Sequence, residues 1–184
     1  MFRTILTYGI IAGIVVGIPL FLIGTVLAEY APSGAMGMAI GYLIMLIAFT
    51  TIFAGIKRYR DHDRGGAIRF LPAFGMGVAI ALIGSAFYVV AWEAAMAVHG
   101  GDYIAKFAAH MIAEREAAGA SAAELAALRA QMADMQAMYA NPVMRVLITL
   151  SEILPIGLLV ALIAAVLLRN PRFLPAPTSS DATS

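Results

Sequence analysis

Four stretches of this chain run almost without charge, and the charged residues collect in short blocks between them. The clearest is Phe70–Trp92, which carries no charged side chain between Arg69 and Glu93. About 20 apolar residues at 1.5 Å per residue cross the roughly 30 Å hydrocarbon core, and a helix satisfies its own backbone there. The pattern predicts four membrane-spanning helices at about 4–27, 36–56, 70–92 and 143–168.

A different pattern fills 94–142. Tyr103/Ile104, Phe107/Ala108 and Met111/Ile112 recur at helical spacing, with Lys106, His110, Glu114 and Glu116 largely elsewhere. Asp102, after Gly100-Gly101, is placed to cap that helix. Gly119 interrupts, and Ser121-Ala122-Ala123-Glu124 reads as a capping box for a second helix. There Leu125, Leu128, Met132, Met135 and Tyr139 form a seam for one packing partner. Two amphipathic helices, about 102–118 and 121–139, follow. Such a hairpin pairs with itself, lies on a leaflet or covers a partner protein. Asn141-Pro142 ends the second helix and opens the fourth span.

Small residues and prolines punctuate the spans. Gly9, Gly13 and Gly17 stack on one face of the first, ahead of Pro19; Gly37 and Gly41 mark the second, and Gly75, Gly77, Gly84 and Ser85 the third. Such faces let helix backbones approach closely. Pro72 falls in a first turn, where a missing amide donor is tolerated. Tyr88 and Trp92 suit a membrane–water interface. The link 29–35, with Pro32-Ser33-Gly34, reads as a turn.

Composition agrees. Hydrophobic residues make up 62% of the 184 and charged residues 12%, against roughly 25% charged in soluble domains. The net charge of +1 hides a segregation that matters more. Lys57, Arg58, Arg60, Arg64 and Arg69 lie in one short segment, read as a solvated, lipid-facing topology loop that stays cytoplasmic. Arg3, Arg169 and Arg172 belong to the same side. Both termini are therefore expected in the cytoplasm and the hairpin on the extracytoplasmic side of a bacterial inner membrane. The first apolar run is too long for a signal core, despite the cleavage-like Ala28-Glu29-Tyr30-Ala31, and reads as a retained span. The tail, 171–184, is Pro/Ser/Thr-rich and expected to be disordered.

Candidate chemistry is sparse. The absence of cysteine excludes disulfides and thiolate sites. Asp61, His62 and Asp63 are adjacent, so they cannot all converge on one metal ion from a regular element, and the neighbouring arginines oppose a cation. No catalytic, cofactor-binding or metal site is expected, and no nucleic-acid partner. The most informative polar residue is Glu152, about 9 Å along the fourth span from Val146, with Pro155 loosening the backbone ladder beside it and Ser151 at hand. An ionised carboxylate facing lipid there is costly. Glu152 is thus a structural lock between helices, a snorkelling interface residue or a proton- or solute-handling group. Glu93 and Glu152 are expected to approach each other near Arg145 if spans three and four are antiparallel.

The chain resembles a bacterial membrane-protein family known as domain of unknown function 4199. The likeness rests on YGIIAGIVVG at 8–17, FAGIKRYRDHDRGGAIRF at 53–70, FYVVAWE at 87–93 and NPVMRVLITLSEILPIGLLVALIAAVLLR at 141–169. The family's IKxYRD followed by a glycine pair is matched by Ile56, Lys57, Tyr59, Arg60, Asp61, Gly65 and Gly66. Its Glu-x-x-Pro-x-Gly pattern is matched by Glu152, Pro155 and Gly157. The resemblance spans about 1–170 and implies no biochemical activity. The expected fold is an all-α integral membrane protein with four transmembrane helices and an extracytoplasmic amphipathic hairpin between helices 3 and 4. The leading functional expectation is a structural or accessory membrane protein in contact with membrane lipids and, through the hairpin, with a membrane or extracytoplasmic protein or a second copy. The alternatives are a small transporter or channel component using Glu152 and, third, an integral-membrane enzyme, for which His62, His99 and His110 are too dispersed.

Overall fold

The computed structural model describes residues 1–27, 30, 34–98 and 103–176. The cleavage-like motif around Ala28-Glu29, the Pro32-Ser33 turn, His99, the Gly100-Gly101-Asp102 cap and the tail beyond Ala176 lie outside the described residues. Six α-helices form: α1 (Phe2–Gly24), α2 (Gly34–Arg58), α3 (Phe70–Val98), α4 (Tyr103–Ala117), α5 (Ala122–Ala140) and α6 (Pro142–Leu168). No strand is present among the described residues. With α2 extended by a π-helical turn to Asp63, α1, α2, α3 and α6 are long and apolar enough to cross a membrane.

Register follows from where glycines let neighbours in. A methyl built on Gly9 would stand 2.7 Å from Ile83 Cβ, one on Gly13 would strike Phe87, and one on Gly17 would meet Ala91 at 3.5 Å. Both members of these pairs advance by four together, so α1 and α3 are parallel. Between α3 and α6 the pairs run in opposite senses: Gly77 faces Ala161, and Gly157 faces Ala81, each at 2.8 Å from a built methyl. Phe49 of α2 fills the space left by Gly84 and Gly157 and is fully buried, with Ile52, Met76, Ile80 and Ile153 around it. Gly41 and Gly75, expected to pack, have no neighbour within 4 Å of a built methyl among the described residues.

This register puts Arg3, the 57–69 segment and the C-terminal end of α6 at one end of the bundle. The α4–α5 hairpin sits at the other. Pro19 and Pro155 both lie inside continuous helices.

Local chemistry shapes the hairpin. Gly119 takes φ +80°, Gly119 N–H donates to Glu116 O at 3.0 Å and Ala120 N–H to Arg115 O at 3.1 Å. This is a Schellman stop, which needs a left-handed residue at its centre. Ser121 and Glu124 then make the reciprocal capping box. Two hydrogen bonds from Ser121 N–H and Oγ hold the Glu124 carboxyl below its usual range. The seam buries Leu125 and Met132 and half-buries Leu128, Met135 and Tyr139, opposite Ile104 and Ala108 of α4. Asn141 ends α5 and starts α6, its Oδ1 accepting from Val143 N–H at 2.9 Å.

The basic segment departs from a solvated loop. Helix α2 continues through Lys57 and Arg58 and passes into a π-helical turn, Tyr59–Asp63. Arg60 is fully buried. Its Nη1 donates to Phe173 O at 2.9 Å and, at the 3.5 Å limit, to Leu168 O; Nη2 donates to Leu174 O at 2.5 Å. Its Nε donates to Asp61 Oδ1 at 2.6 Å, and Asp61 Oδ2 takes Lys57 Nζ at 2.5 Å. Arg58, Arg64 and Arg69 are exposed. Residues 171–176, expected to be disordered, dock on α2: Phe173 packs edge-on against Phe53 with centroids 6.3 Å apart. Leu174, at φ +49°, holds a conformation unfavourable for a branched side chain, and its carbonyl meets the Arg60 fork.

Candidate functional site

The hairpin-side end of the bundle gathers the polar residues singled out in the sequence. Helix α3 runs beyond Trp92 to Val98, which carries Glu93 up to the root of α6. Arg145, one turn into α6, forks onto it: Nε donates to Glu93 Oε1 at 2.7 Å and Nη2 to Oε2 at 2.5 Å. The remaining arm, Nη1, donates to Tyr139 O at 3.1 Å, in the last turn of α5. One guanidinium therefore ties three helices together, and its charge complements the carbonyl end of α5. Both side chains keep partial solvent access, 18% for Arg145 and 32% for Glu93.

Glu152 does not join that ion pair. Its Oε2 accepts from Tyr88 Oη at 3.4 Å, a long hydrogen bond between α3 and α6. Tyr88 is buried, whereas Glu152 is exposed on the flank of the bundle. Among the described residues Glu152 forms no ion pair. The expected meeting of Glu93 with Glu152 thus resolves into two separate contacts, Glu93 with Arg145 and Glu152 with Tyr88. Pro155 lies exposed one turn further along α6. Ser151 Oγ donates to Ile148 O at 2.7 Å and Thr149 Oγ1 to Arg145 O at 2.9 Å. These hydroxyls bond within α6 and leave the neighbouring helices to Glu152.

Aromatic residues gather at this end of the bundle. Burial and then the Glu152 charge push the Tyr139 phenol above its usual range. Burial likewise raises Tyr103, whose ring meets Trp92 edge-on at 5.3 Å. Trp92 Nε1 and Ser85 Oγ, on the same side of α3 as Tyr88, are buried without a hydrogen-bond partner among the described residues. Tyr103 and Tyr139 read in the sequence only as members of apolar stripes. Their recurrence with Tyr88 and Trp92 toward the ends of three helices, α3, α4 and α5, was the available signal.

Two concavities can be described. One, of about 520 Å³, lies beside the hairpin turn against Arg115, Gly119, Glu124 and Leu128. The other, of about 340 Å³, is an apolar groove between α1 and α3 lined by Gly13, Gly17, Phe21, Phe87 and Val90. Glu152 lines neither. Among the described residues no three His, Cys, Asp or Glu side chains are grouped to hold a metal ion. Asp61, in the acidic triplet, has both oxygens engaged by Arg60 and Lys57.

No curated protein and no solved structure is significantly similar to the chain. A family described as a protein of unknown function, DUF4199, matches residues 7–170, which takes in α1 from its second turn, the other three long apolar helices, the Arg60 turn, the hairpin and Glu152. The chain belongs to that family.

Proposed function

We propose that this chain is a non-enzymatic structural or accessory protein of the bacterial inner membrane, with both termini cytoplasmic. In this reading the α4–α5 hairpin stands on the extracytoplasmic side and makes contacts there with a membrane or extracytoplasmic protein or a second copy. The observation that carries it is the Arg145 fork on Glu93 and Tyr139 O, which braces the hairpin against the bundle. Its apolar seam is engaged inside the molecule, so the outward surface, including exposed Phe107 and Met138, is what a partner would meet. The orientation is supported by the basic residues Arg3, Arg58, Arg64 and Arg69 at the opposite end.

The transporter alternative needs a hydrated cavity at Glu152. The described contact of that residue is its hydrogen bond to Tyr88 across helices, which favours the accessory reading.

Because the chain lacks cysteine, a single substitution reports sidedness directly. A127C should react with a membrane-impermeant maleimide added outside spheroplasts, and R64C should react only after lysis. The reverse pattern removes the proposed orientation. Photo-crosslinkers at exposed Arg129 and Gln136 should give discrete adducts, with Leu125 as the interior control. Monomer alone at both exposed positions defeats the partner reading.

A further inference from the structure

Arg60 carries a charge that its partners do not fully neutralise. Asp61 serves both Arg60 and Lys57, so two cations share one carboxylate. The other acceptors of the Arg60 fork are the backbone carbonyls of Leu168, Phe173 and Leu174. A carbonyl dipole satisfies an N–H group and leaves the excess positive charge in place. The oxygens of a phosphate match the same planar fork and supply the missing charge as well.

The two sides of this contact are held differently. Arg60 belongs to the π-helical turn that closes α2, and its carbonyl accepts from Gly66 N–H at 2.9 Å, which fixes its backbone. The strap 170–176 meets the rest of the molecule through the Arg60 fork, through the Phe53 ring on Phe173, and through Ala176 beside Gly66. The bonds from Phe173 N–H to Asn170 O and from Arg172 N–H to Asn170 Oδ1 lie within the strap itself. Leu174 sits at φ +49°, a left-handed conformation that a residue with a Cβ adopts at a cost, and lifting the strap relieves it. Docking is thus opposed by strain in the strap and by the uncompensated charge beneath it.

The position of the fork is where the apolar helices end. Arg60 lies one turn past Ile56, beside the end of α6 at Leu168. Exposed Arg58, Arg64 and Arg69 are close to it in the chain, and basic residues clustered at such a boundary concentrate anions there.

We propose that residues 170–176 form a displaceable lid over a phosphate-binding site made by Arg60 and Lys57. A phosphate-bearing group, from a lipid headgroup or free in solution, takes the place of the Phe173 and Leu174 carbonyls on the fork, and the strap swings out. This site depends neither on the hairpin nor on which way the chain is oriented, so the labelling and crosslinking outcomes above neither support nor remove it.

A ligand that binds only under the open lid must also open it. Hydrogen exchange at the Phe173 amide is followed in the full chain in phosphatidylcholine nanodiscs, in phosphatidylglycerol nanodiscs with the same acyl chains, and in phosphatidylcholine nanodiscs with inorganic phosphate against chloride at matched ionic strength. Native mass spectrometry measures retention of phosphatidylglycerol over phosphatidylcholine. Exchange in the parent should rise by roughly fivefold or more with the ligand. R60Q should lower phosphatidylglycerol retention by about tenfold and remove the lipid response, whereas R58Q, at an exposed position, should keep both. L174G, which relieves the left-handed strain, should steady the lid and cut retention by roughly two- to fivefold. F173A, which frees the strap from Phe53 and keeps the fork, should raise it.

A response to phosphatidylglycerol alone assigns the site to a headgroup, and a response to inorganic phosphate assigns it to the free anion. Equal exchange under all conditions defeats the proposal. So does a preference that R58Q weakens as much as R60Q, which would be general surface attraction. If L174G and F173A both retain lipid like the parent, the strap is a structural tie and no lid.

Discussion

Replacing Arg60 by glutamine removes the one charged group that is completely buried among the described residues. Two donor arms to Phe173 O and Leu174 O are lost, along with the Nε bond to Asp61. The contact to Leu168 O, at 3.5 Å, adds little. Hydrogen bonds from a charged donor contribute about 1.5–3 kcal/mol each, so the two carbonyl bonds alone amount to about 3–6 kcal/mol. Asp61 keeps Lys57 and is not stranded. The freed carbonyls lie in a segment that can swing to water, which recovers part of the loss. About 3 kcal/mol is the expected net cost, or on the order of 10²-fold in the docking equilibrium of residues 169–176.

Hydrogen exchange in detergent measures this directly, because the Phe173 amide is protected by a bond to Asn170 O at 3.1 Å. R60Q should accelerate exchange across that segment by about a hundredfold and leave α3 and α6 interiors unchanged. R60K should fall between, since an ammonium cannot fork to two carbonyls and a carboxylate at once. Exchange within about threefold of the parent in R60Q would mean that the Phe53–Phe173 contact holds the segment without the arginine, and the reasoning would be wrong.

Other perturbations test other joints. G77A sets a methyl 2.8 Å from Ala161 Cβ and 3.1 Å from its Cα; overpacking of this kind costs about 1–3 kcal/mol, and A161G in the same chain should recover most of it in a thermal or detergent-unfolding series. R145A should cost about 1–2 kcal/mol, discounted for partial exposure, and free the hairpin, read as faster proteolysis between α5 and α6 with the bundle intact. The Glu124 carboxyl is depressed below its ordinary 4.5 by the Ser121 bonds. Its cap contribution is therefore complete above pH 4.5 and is lost as pH falls through the depressed value; amide exchange at the start of α5 should rise there, and E124Q should abolish that pH dependence.

The long apolar helices were legible because an uncharged run of sufficient length has few other uses, and the hairpin because its capping box and glycine stop are local chemistry. Arg60 was not, since residue class was read before position. Its signal was present: Arg60 follows Phe49, Ile52 and Ile56 at steps of three and four and extends the buried stripe of α2 by one turn. Phe173 and Leu174 looked like disorder by composition, and the distant Arg60 fork and Phe53 ring give them a place. Glu93 and Arg145 were brought to one rim, but Tyr88 as the partner of Glu152 needed the antiparallel register of α6 on α3. That pairing is a three-dimensional fact without a local sequence signature.

The parallel pairing of α1 with α3 also has a consequence in time. The face of α1 bearing Gly9, Gly13 and Gly17 is complementary to Ile83, Phe87 and Ala91, which belong to a helix that begins only at Phe70. At roughly 5–20 residues per second of synthesis, that face waits several seconds in the bilayer for the helix that will close over it. During that wait a glycine-lined side is open to any other helix nearby. Early assembly of this protein is thus the stage most sensitive to how quickly the third span is delivered.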